Sequence, residues 1–258
     1  MRALSIMYHD IVDPGDWDAS GFSGKSPAAY KLEFQEFVRH LDAIRTVNPD
    51  ASIAKPGWPE SLPLFFTFDD GGASSLRAAE LLEARGWRGH FFITTDWIGR
   101  AAFLSAAGLR ELRDRGHQVG SHSCSHPTRM ARCSPAQMQE EWTRSKQVLE
   151  QILGEPVEIA SVPGGYYSKT VGDTAERAGY RVLFNSEPTT SVHIVRTCLV
   201  LGRYIVKNDT PASDAAGLAA GDWAPRFRQS LMWQAKKVIK AVAGDAYLRV
   251  RERRLNRR

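Results

Sequence analysis

The sequence predicts an α/β fold, a distorted (β/α) barrel of about seven parallel strands. Three observations carry this prediction: short apolar runs recur along the chain, helical patterns lie between most of them, and polar clusters follow several of the runs. Seven such runs favour a closed or nearly closed barrel, and an open doubly wound sheet is the alternative. A chain of 258 residues, 43% of them hydrophobic, suits one large folded unit.

The strands are predicted at apolar runs and the helices where apolar residues recur every three or four positions. The predicted strands are Leu4–Tyr8, Leu64–Phe68, His90–Ile93, Gln118–Gly120, Val157–Ala160, Tyr180–Phe184 and Cys198–Val206. The predicted helices are Leu32–Val47, Ser75–Arg85, Leu109–Arg115, Ala136–Leu153 and Thr170–Ala178. Ser134 before Pro135 suits a helix start, and glycines follow four of the five helices at positions where a helix ends.

Two segments lie outside this alternation. Asp13–Tyr30 is rich in Gly, Ser and Pro and is predicted to be a long loop, and Asn208–Trp223 is predicted to be a linker. We therefore expect a catalytic domain over residues 1–207, followed over 208–258 by the linker and a basic, amphipathic helical tail.

The positive charge of the chain is concentrated in that tail. Residues 226–258 contain eleven Lys and Arg but only two acidic residues, whereas the whole chain has a formal charge of +5. The basic isoelectric point therefore describes the tail, and it gives no reason to expect nucleic-acid binding. Leu231, Val238 and Val242 recur at helical spacing and Trp233 is near the same face, so the tail is predicted either to pack on the barrel or to lie on an anionic membrane surface.

No apolar run is long enough to span a bilayer, and the first ten residues do not resemble a secretory signal. The expected location is the cytoplasm, with peripheral contact to the inner surface of the membrane. The three cysteines, Cys124, Cys133 and Cys198, are an odd number without CxxC spacing, so we expect free thiols.

Two motifs carry chemistry. Asp69 and Asp70 follow an apolar strand, where successive side chains point in opposite directions, so one carboxylate can bind a metal while the other accepts a proton. His122 and His126 lie on a short polar segment ending at Pro127, which favours a loop that turns both imidazoles toward one point. Two histidines and one carboxylate leave coordination positions open, as in a catalytic metal site.

Each motif has an ordinary alternative. An Asp-Gly sequence is common in turns, and two nearby histidines are common on surfaces. The same ligand types also serve non-haem iron oxygenases, whose His-x-Asp pattern occurs in this chain at His40 and Asp42. Those two residues lie within an amphipathic helical pattern, where positions two apart face in different directions, so the oxygenase interpretation is disfavoured.

The motifs together resemble the polysaccharide deacetylase family, carbohydrate esterase family 4, with its chitooligosaccharide deacetylase homology domain. The similarity rests on TFDDG at 67–71, HSCSH at 122–126, the Pro-Gly loop at 163–166 and the opening Met7-Tyr8-His9, and it covers roughly residues 1–206. The resemblance implies a distorted (β/α) barrel, one divalent metal and hydrolysis of the N-acetyl groups of amino sugars. Zinc is the expected metal, with cobalt, manganese, iron(II) and nickel as alternatives.

The resemblance also implies roles for individual residues. Asp70, His122 and His126 are the metal ligands, and Asp69 is the general base. The backbone N–H of Tyr166 is the oxyanion donor.

The predicted substrate contacts are the backbone around Gly164 and Gly165, with Tyr167. Tyr166, Tyr167 and Trp97 are further candidates for stacking against a sugar ring, and core packing is the alternative for Trp97.

Two positions depart from the family pattern. The Arg that commonly orients the catalytic Asp is replaced in this chain by Ser161, and the His that commonly serves as general acid after the last strand is missing. Arg203 is a candidate to replace the Arg, with a surface position as the alternative. His9 and His193 are candidates for the general acid.

The predicted function is hydrolysis of N-acetyl groups on a poly- or oligosaccharide, including a lipid-linked precursor as one substrate. The partner is therefore an N-acetylated glycan. Two alternatives stay open: a hydrolase of another non-peptide C–N amide bond, and a degenerate protein that binds a metal and a glycan without catalysis.

Overall fold

The computed structural model describes residues 1–51, 53–54 and 62–235. Most of the predicted basic tail, residues 236–258 with Val238 and Val242, lies outside the described residues. In the described part, all three cysteines are free thiols, as predicted. No helix among these residues is long and apolar enough to cross a membrane.

The central element is a nine-stranded sheet in which every neighbouring pair is parallel except the last. In chain order the strands are β1 (Leu4–Tyr8), β2 (Ile11–Val12), β3 (Leu32–Glu33), β4 (Leu64–Phe68), β5 (Gly89–Ile93), β6 (Gln118–Ser121), β7 (Ile159–Ser161), β8 (Val182–Phe184), β9 (Val192–Val195), β10 (Cys198–Leu201) and β11 (Tyr204–Ile205). The large sheet has the order β11-β1-β4-β5-β6-β7-β8-β10-β9, and β2 pairs with β3 separately.

The sheet closes on itself through one bent segment. Strand β10 pairs with β8 at one end of the sheet, and β11 pairs with β1 at the other. Only Gly202 and Arg203 separate β10 from β11, so these two ends of the sheet must lie close together. With β10 and β11 counted as one bent strand, the barrel has the seven parallel strands predicted from the sequence, and strand β9 is added as an antiparallel edge.

Helices surround the barrel, and all but the first, which has no buried residue, bury apolar side chains. They are α1 (Lys25–Ala28), α2 (Phe34–Val47), α3 (Ser75–Glu83), α4 (Ala106–Asp114), α5 (Pro135–Leu153), α6 (Lys169–Arg177) and α7 (Ala212–Ala220). Helix α5 begins as predicted, because Ser134 and Gln137 form a reciprocal capping box. It ends at Gly154, which adopts the left-handed conformation that favours glycine.

The predicted linker Asn208–Trp223 is not a linker. It contains helix α7, whose Ala215, Leu218 and Ala219 are buried, and α7 packs against α2 and β1. Small apolar side chains at a spacing of three and four form its buried face, and the high content of Ala and Gly hid that face in the sequence. Residues 223–235 are also helical. The predicted domain boundary after residue 207 stays a prediction.

Candidate active site

The predicted site residues lie where several parallel strands end. Asp69 and Asp70 follow β4, His122 and His126 follow β6, and His9 follows β1. Strands β1, β4, β5 and β6 are consecutive in the sheet and parallel, so their carboxyl ends meet at one rim.

Asp70, His122 and His126 form a cluster that can hold a metal ion. One ligand atom from each lies within 4.8 Å of the others. The Nε2 atoms of His122 and His126 are each 3.5 Å from Asp70 Oδ1. Ligands bound at about 2.1 Å in a tetrahedral arrangement lie roughly 3.4 Å apart, so the donor types and their spacing fit a zinc-like ion.

The backbone holds two of these ligands in unusual conformations. Asp70 has a φ angle of 77° and His126 one of 60°, and Ser123 between the histidines has 65°. Positive φ is uncommon for residues other than glycine and typically costs of order 1 kcal/mol or more, and it concentrates at functional sites. The surrounding structure therefore stabilises a strained backbone that places the ligand side chains together.

Glu141, on helix α5, fixes the loop between the two histidines. Its carboxylate accepts hydrogen bonds from the backbone N–H groups of Cys124 and Ser125, at 2.8 and 2.9 Å, and from the Ser125 hydroxyl at 2.6 Å. This acidic residue was not singled out from the sequence, because its loop partners lie 16 and 17 positions away.

Ser161 connects His122 with Asp69. His122 Nδ1 lies 3.2 Å from the Ser161 carbonyl oxygen, which can only accept, so Nδ1 carries the proton and Nε2 has its lone pair free for a metal. The Ser161 hydroxyl lies 2.5 Å from the same Nδ1 and donates to Asp69 Oδ1 at 3.1 Å. The residue at the position of the expected Arg thus links the predicted metal ligand His122 to the predicted base Asp69.

Arg203 supplies the guanidinium that the Ser161 position lacks. It is fully buried, so the surface alternative for Arg203 is wrong. Its Nη1 and Nη2 donate to Asp69 Oδ1 and Oδ2 at 2.6 and 2.8 Å, a bidentate pair. Its Nε donates to the backbone carbonyl of Asn185 at 2.9 Å, which fixes the plane of the guanidinium. Asp69 and Arg203 are 134 positions apart, so local sequence gave no sign of their contact.

The pKa values of the two adjacent carboxyl groups, Asp69 and Asp70, are shifted in opposite directions. Burial raises the pKa of Asp69, but the Arg203 guanidinium and His122 outweigh burial and hold that pKa well below its ordinary value. Burial raises the pKa of Asp70 to about 7, and the neighbouring carboxylates of Asp69 and Asp10 add to the increase. Asp69 therefore has its cationic partner within the protein, whereas Asp70 is the kind of carboxyl group that a bound cation would ionise.

Burial favours the neutral form of both histidines of the cluster. Burial lowers the pKa of His122 to about 3, and burial also lowers the pKa of His126. A neutral imidazole is the form that binds a metal, so this electrostatic environment also fits a metal site.

An aromatic cluster covers His126. The ring of Phe22, from the long loop Asp13–Tyr30, lies 5.0 Å from the His126 ring and 4.9 Å from that of Trp97. Trp97 also packs 4.8 Å from Phe103. Trp97 is thus brought close to the site and packed within an aromatic cluster at the same time.

Lys31 holds the loop that carries Phe22. Its buried ammonium group donates to three backbone carbonyl oxygens of the loop, those of Trp17, Ser20 and Phe22, at 2.6–2.7 Å. The sequence gave no reason to select this lysine, since a Lys after a loop is usually exposed.

The loop of residues 163–166 after β7, called the glycine loop from here on, packs against the segment that follows His126. Gly164 has a φ angle of 65°, and a Cβ atom there would lie 2.3 Å from the carbonyl oxygen of Thr128, so only glycine fits. Tyr166 ends this loop, and the Arg129 guanidinium lies 5.9 Å from its ring centre. The side chain of Tyr167 is half-buried against the core, with its hydroxyl over Gly172 of α6. The oxyanion and substrate roles of this loop stay predictions.

The two candidates for the general acid occupy different places. His9 lies on the rim, where its charge influences the pKa of Asp69 and Asp70, and its buried Nδ1 has no hydrogen-bond partner among the described residues. Its ring packs 5.1 Å from that of Tyr30. His193 is exposed on the edge strand β9, where it pairs with Val200. The geometry favours His9 over His193.

Comparison with known proteins agrees with the resemblance seen in the motifs. The polysaccharide deacetylase family model matches residues 59–183. The putative polysaccharide deacetylase YxkH of Bacillus subtilis is 26% identical over 189 residues, which are 71% of this chain and 64% of that protein. The chain thus spans slightly less than two thirds of this relative. The resemblance to the polysaccharide deacetylase family predicted from the sequence is confirmed.

Solved structures confirm the barrel fold. IcaB from Ammonifex degensii superimposes with a TM-score of 0.68 at 20% identity, covering 85% of this chain and 97% of that one. The deacetylase PplD of Streptococcus pyogenes, solved in complex with acetate, gives 0.65 at 19% identity, covering 82% and 95%. At these identities the likeness concerns the fold.

Proposed function

Because this chain carries the polysaccharide deacetylase pattern of residues 59–183, we propose that it is a metal-dependent hydrolase that removes N-acetyl groups from amino sugars of a poly- or oligosaccharide. One observation carries the proposal. A carboxylate held ionised by a buried Arg, Asp69, stands beside a cluster of one carboxyl group and two imidazoles. General base and metal ligands are the groups that amide hydrolysis at a metal requires.

Asp70, His122 and His126 would hold the divalent cation. When bound, such a cation supplies Lewis acidity, which polarises an amide carbonyl and promotes the deprotonation of water. Asp69 accepts the proton of the attacking water. Arg203 and Ser161 keep its two oxygens in one orientation, so its proton-accepting lone pairs are directed before substrate arrives.

Residues on the rim would carry out the remaining steps of the reaction. The backbone N–H of Tyr166 would donate to the oxyanion that forms when water adds to the amide carbonyl. The amine must gain a proton as it leaves, and His9 on the rim, whose Nδ1 has no partner among the described groups, is the candidate to give it.

The decisive experiment is acetate release from N-acetylated glycans by wild type and Asp69→Asn, each loaded with zinc. The panel contains amino-sugar oligomers, a polymer and a lipid-linked sugar. We expect the variant to retain zinc and lose about 10²- to 10⁴-fold in rate, because Asn is nearly isosteric but cannot accept the proton. Asp114→Asn is the matched control, since Asp114 is exposed and ends helix α4, just before the start of β6 and so at the opposite end of the barrel from the rim.

Each other outcome has a defined meaning. Near-normal turnover of zinc-loaded Asp69→Asn would refute the role of Asp69. Wild type that binds glycans but releases no acetate from any of them would establish the degenerate alternative. Wild type that hydrolyses another non-peptide amide and spares the N-acetyl sugars would establish the second alternative.

A further inference from the structure

The helix of residues 223–235 exposes an apolar stripe. Trp223, Phe227 and Leu231 follow one another at intervals of four and are 72%, 49% and 59% exposed, and the adjacent Met232 is 49% exposed. Residues four apart lie on the same face of a helix, so the stripe extends for about 12 Å along the helix. The rings of Trp223 and Phe227 stack at 4.8 Å, which gives the stripe a continuous aromatic start.

The face of this helix next to the stripe is fixed to the barrel. The Gln229 side chain accepts a hydrogen bond from the Ile205 backbone N–H at 3.1 Å and donates to the Ile205 carbonyl at 2.9 Å. The Ser230 hydroxyl donates to the Pro188 carbonyl at 2.9 Å. The Gln229 amide thus pairs with the backbone of strand β11. Together these contacts fix how the helix is rotated about its own axis. The apolar stripe is therefore directed outward by the structure and does not result from a freely rotating helix.

The charge of the helix and of the sequence that follows it selects among possible occupants. Arg226 and Arg228 lie on the same helix, and the sequence from 226 to 258 carries eleven basic residues against two acidic ones. A second copy of the chain on this face would bring two strongly basic segments together, which is unfavourable. An anionic bilayer surface satisfies both features, since it attracts the basic residues and accepts apolar side chains at the level of the headgroups.

We propose that the helix of residues 223–235 docks on an anionic bilayer surface, with Trp223, Phe227 and Leu231 inserted at headgroup depth. The helix lies against the candidate active site at its other end. The indole of Trp233 lies 3.7 Å from the point where a Cβ atom on Gly165 would sit. Docking therefore keeps the glycine loop of the rim beside the membrane surface, whatever the substrate is.

The test is co-sedimentation of the full chain with vesicles of phosphatidylcholine alone or mixed with phosphatidylglycerol, at low and high salt. The variant is Phe227→Ser with Leu231→Ser, which removes apolar surface without changing charge. The matched control is Val47→Ser with Ile194→Ser, two apolar residues of similar exposure, 47% and 67%, elsewhere on the surface. All four positions are exposed, so we expect both proteins to melt like the wild type.

We expect wild type and control to bind the anionic vesicles equally, with binding that weakens at high salt, and the helix variant to bind about 30-fold more weakly. Wild type that ignores anionic vesicles at low salt overturns the proposal. A helix variant that binds within twofold of the wild type overturns it too, because the stripe then does not insert. A dimer in solution that the helix variant abolishes identifies a second copy as the occupant and also overturns it.

Discussion

The pair of Asp69 and Arg203 allows a quantitative test of how the candidate base is held. Arg203 is completely buried and Asp69 nearly so, and both guanidinium nitrogens bond to the two carboxylate oxygens. Arg203→Met removes the charge and approximately conserves the volume. It leaves the Asp69 carboxylate buried, with the Ser161 hydroxyl as its remaining donor in the described structure.

The expected cost follows from the unpaired charge. Removal of one partner of a buried ion pair costs about 3–5 kcal/mol in the free energy of unfolding. Asp69→Asn should cost less, about 1.5–3 kcal/mol, because its amide oxygen still accepts from the guanidinium and Arg203 keeps the Asn185 carbonyl. The double variant buries no charge at this place. Its cost should therefore fall below the sum of the two single costs by about 2 kcal/mol.

The measurement is urea unfolding of the four proteins in the presence of a chelator, so that metal binding does not contribute to stability. Arg203→Lys serves as the control for charge without bidentate geometry, and it should recover part of the stability. If the single costs add to within about 0.5 kcal/mol of the double cost, the pair is not coupled. That result would refute the conclusion that Arg203 holds Asp69 in its orientation.

Three further predictions concern the metal ligands, a core histidine and the loop clamp. Zinc at 1,000-fold over its dissociation constant should stabilise the wild type by about 4 kcal/mol, measured by thermal unfolding. His126→Ala should lose most of this stabilisation, and an unchanged stabilisation would contradict the ligand assignment. His90 is buried, and burial lowers its pKa from 6.5 to about 4. Between these pH values the unfolded chain binds more protons than the folded protein does. The free energy of unfolding should therefore fall by about 3 kcal/mol as pH decreases from 6.5 to 4. Urea unfolding across this range should give a flatter pH dependence for His90→Gln, and equal slopes would assign the effect to other groups. Glu141→Ala removes the acceptor of three loop hydrogen bonds and should weaken zinc binding about 10-fold or more in a titration, whereas the neighbouring, exposed Glu140→Ala should not.

The seven barrel strands and five of the helices were predictable because each has a local signal. The seven apolar runs correspond to the seven strands of the barrel, and the five helical patterns correspond to α2 through α6. The rule that parallel strands place their carboxyl ends together then brought Asp70 and the two histidines to one rim without any structural information. The cluster of Asp70, His122 and His126 was therefore predictable from short motifs and their place in the strand order.

The groups that orient the site were less predictable, because their partners are distant in the chain. Arg203 follows a strand, and nothing near it in the sequence distinguishes a buried guanidinium from a surface one. Glu141 looks like an ordinary helix surface residue until the loop it clamps is placed against it. Helix α7 was missed for another reason, since its buried face consists mostly of Ala, whose small side chain gives a weak apolar pattern.

The bent segment β10–Gly202–Arg203–β11 serves both the closure of the barrel and the placement of the guanidinium beside Asp69. The same residues that bring the ends of the sheet together also carry the guanidinium to Asp69. A conformer in which this strand has come away from the sheet has an open barrel and, at the same time, an Asp69 carboxylate without its counterion. Site assembly thus depends on a long loop closure, over 134 positions, and the site is completed only when the barrel closes.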